Sequence, residues 1–250
     1  MRMRTLGSSD LTVPVVGLGC NNFGGRLDLD RTRAVVDAAL DAGVTFFDTA
    51  DIYGGRGGSE RLLGEVLAGR RDEVVLATKF GHQSYDMGYP ESLGPKGGRT
   101  YLRYAVEQSL TRLRTDVIDL YQVHTPDPVT PVEETTAALD ELVAEGRVRF
   151  YGHSNYDAAL MERAGPSYVS AQNHWSLLER DEEASAIPAA RRLGLGVLPY
   201  FPLANGLLTG KVRRGGEVPA GSRLAGRDSY VTEDKLDRVE ALAAFADARG

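Results

Sequence analysis

Gly43-Val44-Thr45-Phe46-Phe47-Asp48-Thr49-Ala50-Asp51-Ile52-Tyr53-Gly54 is the stretch whose reading decides the fold. A β-rich apolar run climbs to a carboxylate, and a tyrosine follows five positions later on a loop. Asp48 is the first charge after Asp41, so it reads as the last residue of a buried strand. Burying a carboxylate is costly unless a cation answers it. That cation has to come from elsewhere in the chain.

Working outward, strand and helix signals alternate in both directions. Upstream, residues 3–19 read as a small hairpin around Gly7-Ser8-Ser9-Asp10, followed by a strand at 15–19. Asp30 offers a cap for a helix that ends at Gly43. Downstream, Ser59 offers a cap for a helix carrying Leu62, Leu63, Val66 and Leu67, and residues 74–79 form a buried strand ending on Lys79. Residues 81–99, dense in Gly and Pro, read as a long loop of the kind that is functional or mobile. A helix with Leu102, Val106, Leu110 and Leu113 on its inner stripe leads to a strand at 117–123 that ends at His124. Thr130-Pro131-Val132-Glu133 has the form of a capping box. The rhythm continues with a strand at 148–153, a helix at 157–164, a strand at 168–172, a helix at about 181–193 and a strand at 196–200. A Gly- and Pro-rich loop to about residue 231 precedes one more helix, ending in Arg249-Gly250.

Strands this apolar, alternating with helices, imply a parallel sheet covered by helices. A doubly wound sheet and a (β/α)8 barrel both fit that rhythm. The polar residues decide between them. Asp48 (with Tyr53 just beyond), Lys79 and His124 close successive strands, and Ser154-Asn155, Gln172 and Tyr200 occupy the same place later. A barrel gathers such ends on one face, where active sites are built, whereas an open sheet spreads them along an edge. The expectation is an α/β protein, one (β/α)8 TIM-barrel domain over residues 1–250 with an N-terminal β-hairpin.

Lys79 is then the cation for Asp48. A lysine beside a tyrosine hydroxyl favours the phenolate, which predicts a Tyr53 pKa below its reference of about 10. His124 can hydrogen-bond the oxygen of a bound carbonyl, with Tyr53 as general acid. No side chain here supplies hydride, so a nicotinamide cofactor is implied.

Composition bounds the alternatives. A net charge of -6 without a basic block argues against a nucleic-acid partner. One cysteine, Cys20, excludes an internal disulfide framework and fits a reducing compartment. The N-terminus lacks an apolar leader and no run reaches membrane-spanning length, so a soluble cytoplasmic protein with no membrane partner is expected. The four histidines show no metal-ligand spacing, and His153 and His174 read as packing or hydrogen-bonding residues. Arg70-Arg71 and Arg213-Arg214 read as solvated surface.

Four motifs in order carry a resemblance: Arg4-Thr5-Leu6-Gly7 with Gly17-Leu18-Gly19; Asp48-Thr49-Ala50 with Tyr53; Ser109-Leu110-x-x-Leu113-x-x-Asp116-x-x-Asp119-Leu120-Tyr121-Gln122-x-His124; and Gly206-Leu207-Leu208-Thr209-Gly210-Lys211. With them the chain resembles the aldo-keto reductase family over its whole length. The resemblance implies reduction of an aldehyde or ketone by NADP(H), with the family's tetrad on Asp48, Tyr53, Lys79 and His124. It also implies that Ser154, Asn155 and Gln172 hold the carboxamide and that Tyr200 stacks on the nicotinamide. Backbone at Phe201, Pro202, Leu203 and Ala204, with Lys211 and Arg223, should meet the pyrophosphate side, and Cys20 and Asn21 should lie against the cofactor.

Two departures stand out. Many relatives carry Trp-Ser-Pro-Leu where this chain has Tyr200-Phe201-Pro202-Leu203, which keeps an aromatic plate but loses a serine contact. The sequence also stops before the family's eighth strand and final helices, where the 2′-phosphate is normally gripped, so it is expected to lack that part of the barrel. NADP(H) over NAD(H) therefore rests on the resemblance alone. Two other functions compete: a Schiff-base lyase using Lys79, and a cofactor-sensing, non-catalytic binding module. Substrate choice falls to loops 81–99, 125–129 and 213–231, with Tyr85, Tyr89, Trp175 and Tyr230 available to line an apolar pocket.

Overall fold

The computed structural model describes residues 1–249. Its backbone divides into two units, one made of residues 1–172 with 186–197, the other of 173–185 with the residues from 198 onward.

The first unit opens on an antiparallel hairpin, β1 (Met3–Thr5) and β2 (Thr12–Pro14), turning through the expected Gly7-Ser8-Ser9-Asp10 segment. There follow β3 (Leu18–Gly19), α1 (Leu29–Asp41), β4 (Phe46–Asp48), α2 (Gly58–Val66), β5 (Val75–Phe80) and α3 (Arg99–Leu113). The alternation continues with β6 (Ile118–Val123), α4 (Val132–Ala144), β7 (Val148–Ser154), α5 (Ala158–Ala164), β8 (Ser170–Gln172), α6 (Ala186–Arg192) and β9 (Gly196–Val197). Among the described residues, β3 to β9 form one seven-stranded sheet in sequence order, each strand parallel to the next.

These strands are apolar on both faces because both faces are covered. In β4, Phe46 and Phe47 point to opposite sides and both are buried. In β6 every residue is buried: Asp119, Tyr121 and Val123 share one face, Ile118, Leu120 and Gln122 the other. The register sets Gly19 beside Asp48, Asp48 beside Ala77, Lys79 beside Gln122 and Ser154 beside Gln172. Gln172 on β8 hydrogen-bonds Asp48 on β4 at 3.3 Å. On a flat sheet four strand spacings would part them by about 19 Å. The sheet is therefore curled, with these residues on its concave side. This is the barrel-like arrangement expected from the strand ends.

Near the amino ends of the strands, a second polar group ties the sheet. Asp119 accepts from Arg71 at 2.6 Å, from the Leu76 backbone at 2.9 Å and from Arg149 at 2.9 Å. Arg71 also reaches the carbonyls of Val74 and Val117 at 3.0 Å each. Arg71 is thus not solvated surface, as its sequence setting suggested. It answers a buried carboxylate.

Local signals were displaced by a few residues. Asp28, not Asp30, caps α1, accepting from Arg31 N–H at 3.0 Å. Ser59 caps nothing: its Oγ donates to the Cys20 carbonyl at 2.8 Å and lies 2.8 Å from Thr49 Oγ1. Thr130 likewise turns away from α4 to donate to Asp127 at 2.9 Å. The expected helix at 181–193 is a 3-10 turn (Asp181–Ala184) followed by α6. The last expected strand is only Gly196–Val197, because Pro199 lacks the N–H that a ladder needs.

The second unit has its own apolar cluster of Leu178, Ala204, Leu207, Val212, Leu224 and Leu236. Its helix, α7 (Glu233–Asp247), is capped by Thr232 and buries Leu236. The expected end of that helix at Gly250 lies outside the described residues.

Candidate active site

Asp48 ends β4 opposite Ala77, and Lys79 lies on the neighbouring strand two residues past that level. Lys79 Nζ donates to Asp48 Oδ2 at 2.6 Å and to the Thr49 carbonyl at 3.0 Å. Asp48 Oδ1 accepts from Gln122 at 3.0 Å and from Gln172 at 3.3 Å, so the carboxylate is answered on both oxygens. Burial works to lower the Lys79 pKa, but Asp48 and Tyr53 outweigh it and hold the ammonium above its ordinary value.

Tyr53 follows on a loop closed by its own backbone, with Tyr53 N–H on the Ala50 carbonyl at 3.1 Å and Ser59 N–H on the Tyr53 carbonyl at 3.0 Å. Gly54 makes the turn possible. Its φ is +67°, and a Cβ there would lie 2.5 Å from the Phe23 carbonyl oxygen. The Tyr53 ring centroid is 5.4 Å from Lys79 Nζ. Burial pushes the Tyr53 phenol up, Lys79 pulls it down, and the net direction is upward. The sequence predicted the opposite sign. Proximity to an ammonium was legible, but the desolvation that opposes it was not.

His124 lies just past β6, its N–H on the Phe80 carbonyl at 2.8 Å. Its ring meets Tyr53 edge-on at 5.9 Å and His82 edge-on at 4.8 Å. Burial, then Lys79 and His82, lower its pKa to about 2, so the imidazole is neutral.

The remaining expected residues of this unit flank that group. Cys20 is fully buried, its N–H on the Asp48 carbonyl at 2.9 Å and its Sγ 3.3 Å from the Leu18 carbonyl. Burial raises its thiol pKa well above the ordinary value. Asn21 follows, half-buried. Ser154 Oγ donates to the Gln172 carbonyl at 2.8 Å. Asn155, with φ at +62°, donates to the His124 carbonyl at 2.9 Å and to Ser154 Oγ at 3.0 Å. Asp48, Lys79, Gln172 and His124 are thus joined, directly or through Asn155 and Ser154, in one hydrogen-bonded patch.

In the second unit Tyr200 stacks on His174 at 5.1 Å with the planes 8° apart, and Phe201 stands edge-on to Tyr200 at 5.3 Å. Phe201, Ala204 and Asn205 all take positive φ values. Pro202 and Leu203 are exposed between them, and Lys211 is exposed beyond. The Arg223 guanidinium lies 5.6 Å from the Phe201 ring centroid.

Several residues escaped the sequence reading. Gln122 shares the face of β6 that leads to His124, so strand alternation could have found it. His82 had no signal, because nothing in a loop sequence fixes where a ring points. Glu60 and Asp51 form a buried acidic pair behind the site. Glu60 accepts from Thr78 and Arg112 at 2.6 Å each. Asp51 has no side-chain partner among the described residues, and burial followed by Glu60 raises its pKa to about 8.

The curled parallel sheet thus brings an Asp–Lys pair, a tyrosine and a histidine together at its carboxyl rim. The Aldo/keto reductase family profile matches residues 15–250. The chain is 38% identical over 254 residues to the uncharacterized oxidoreductase YrpG of Bacillus subtilis (strain 168), covering 94% of this chain and 76% of that one. It is 36% identical to probable aldo-keto reductase 1 of Glycine max, covering 95% and 71%. The solved aldo-keto reductase AKR11C1 from Bacillus halodurans (holo form) superposes with a TM-score of 0.76 at 34% identity, covering 94% of this chain and 79% of that one. The chain belongs to the aldo/keto reductase family and is an oxidoreductase with a (β/α)8-barrel-like fold.

Proposed function

We propose that the protein reduces an aldehyde or ketone to an alcohol with NADP(H). The observation that carries this reading is the buried Lys79 ammonium, held by Asp48 and set against the Tyr53 phenol, with neutral His124 beside both. Tyr53 is the general acid: its raised pKa keeps it protonated at neutral pH until the carbonyl oxygen gains charge. The Lys79 cation favours the phenolate left behind, and Asp48 keeps that cation charged and aimed. His124 orients the carbonyl oxygen as an uncharged donor.

The residues fit a nicotinamide dinucleotide in two sets. Ser154, Asn155 and Gln172 present amide and hydroxyl groups suited to a carboxamide. Tyr200 offers an aromatic plate, and the positive-φ backbone at Phe201 and Ala204, with Lys211 and Arg223 along the same segment, suits phosphate oxygens. When bound, the cofactor supplies the hydride. The family profile, continuous over residues 15–250, is the reason for treating residues 1–250 as a single functional domain. A Schiff-base lyase is disfavoured, because a lysine held above its ordinary pKa is a poor nucleophile.

The test is NADPH oxidation by the purified protein with an aryl aldehyde, run beside NADH and Tyr53→Phe. Turnover that prefers NADPH and is lost in the variant supports the assignment. Cofactor binding without turnover on any carbonyl points instead to a cofactor-sensing module.

A further inference from the structure

Between β5 and α3 the chain runs through residues 81–98 with one 3-10 turn at Glu91–Leu93. The carbonyls of His82, Gln83 and Tyr85 converge on one point, and Lys96 fills it. Its Nζ lies 2.7, 3.1 and 2.7 Å from the three oxygens. An ammonium has three donors and no acceptor, so these carbonyls match its full capacity, and none of the three is a carboxylate. The lysine serves the backbone of the loop.

Both ends of this tie are fixed. Next to Lys96, Gly97 donates its N–H to Asp127 at 2.5 Å and accepts from Thr135 Oγ1 at 2.9 Å. On the other side, Gln83 N–H meets Thr125 Oγ1 at 3.0 Å. The 82–85 turn is held from two directions, and His82 leaves it to meet His124 edge-on at 4.8 Å. Burial and the Lys96 charge lower the His82 pKa, so the ring presented there is neutral.

We propose that Lys96 is a positioning residue that sets substrate specificity: by gathering the three carbonyls it holds the His82 ring against His124 as one wall of the carbonyl pocket. This rests on the reduction proposed above. Lys96 touches no reacting atom, and its influence passes through the 82–85 backbone. An uncharged aromatic edge suits carbonyl compounds with an aromatic or apolar substituent better than anionic ones.

The experiment compares Lys96→Met, Lys96→Arg, His82→Ala and the Lys96→Met/His82→Ala double variant, using an aryl and a small aliphatic aldehyde. Lys96→Met should raise KM for the aryl aldehyde by roughly 10- to 100-fold, the range for lost charge-assisted hydrogen bonds. It should leave KM for NADPH unchanged and affect the small aldehyde less. Lys96→Arg should recover only part, since a planar fork does not reproduce three converging donors. The double variant should be no worse than the poorer single one. Amide hydrogen exchange at residues 82–85 should quicken in Lys96→Met. Additive losses, equal losses on both aldehydes and the cofactor, or unchanged exchange would each overturn the proposal. A wild-type protein that reduces no carbonyl would sink the reduction itself and the specificity role with it. The exchange comparison would then still decide whether the tie exists.

Discussion

Lys79, with a side chain 1% exposed, sits 2.6 Å from Asp48, whose side chain is 19% exposed. The two members of the pair are unequally insured. Asp48 has Gln122 and Gln172 as further donors, whereas beyond Asp48 Lys79 has the Thr49 carbonyl and the Tyr53 phenol. Asp48→Asn strands a buried ammonium and should cost about 3–5 kcal/mol of stability, the usual range for breaking a buried pair from one side. Lys79→Met leaves a carboxylate that still has two amide donors, and should cost less. Urea unfolding of both variants checks the order; equal losses would contradict the asymmetry.

The pH dependence of reduction should carry no histidine limb. Burial, Lys79 and His82 lower the His124 pKa to about 2, far below the ordinary histidine value of about 6.5. Burial raises the Tyr53 pKa, and as the proposed general acid Tyr53 must be protonated to act. kcat/KM for reduction should be level through neutral pH and fall only above the ordinary tyrosine value of about 10, as the acid is lost. A single-proton limb near pH 6.5 that vanishes in a His124 variant would show that the imidazole is charged in the working enzyme.

Asp51 should make the fold less stable in alkali. Burial and Glu60 raise its pKa in the folded state to about 8 from the ordinary 3.8, so the folded state binds the extra proton. That contribution is full below about pH 4 and is lost as pH rises through about 8. Asp51→Asn removes the dependence. Relative to the variant, the wild-type chain should lose up to about 1.4 kcal/mol per pH unit across that window. Denaturant midpoints of the two proteins at several pH values provide the reading, and parallel curves would mean that Asp51 is solvated or paired.

Gly64→Ala should destabilise, although alanine in a helix interior ordinarily gains about 1 kcal/mol over glycine. Gly64 lies in α2, where an added Cβ would fall 2.4 Å from the Arg112 carbonyl oxygen and 2.7 Å from the Leu113 carbonyl carbon. Both are backbone atoms of the neighbouring helix segment, so the helices would have to part. Overpacking of this kind costs about 1–3 kcal/mol, which reverses the sign set by propensity. Thermal unfolding decides between the two.

What could be read from the sequence followed from contrast. Lys79 and His124 were conspicuous because each interrupts an apolar strand at its end, and Asp48 because no other charge precedes it for several residues. Arg71 was misread because its partner, Asp119, is 48 positions away, and a pair of arginines looks the same at a surface as above a buried carboxylate. Ser59 and Thr130 were misread as caps because a hydroxyl's choice between helix N–H groups and a tertiary acceptor is made only when the elements meet. The sign of the Tyr53 shift was missed for a related reason. Sequence neighbours announce charges, but not the amount of water removed. Those same terms set the chemistry of the site, so its members were more legible than its electrostatics.

The Asp119 knot has a consequence for how this chain could be altered. It joins Arg71, β5, β6 and β7 near the strands' amino ends, whereas Asp48, Lys79 and His124 lie at their carboxyl ends. The Asp119 ties thus hold β5, β6 and β7 together away from the rim that carries Asp48, Lys79 and His124. Loops on that rim can vary in sequence while Arg71, Asp119 and Arg149 keep these strands tied. Repertoire and architecture are separable in this molecule, one at each end of the same strands.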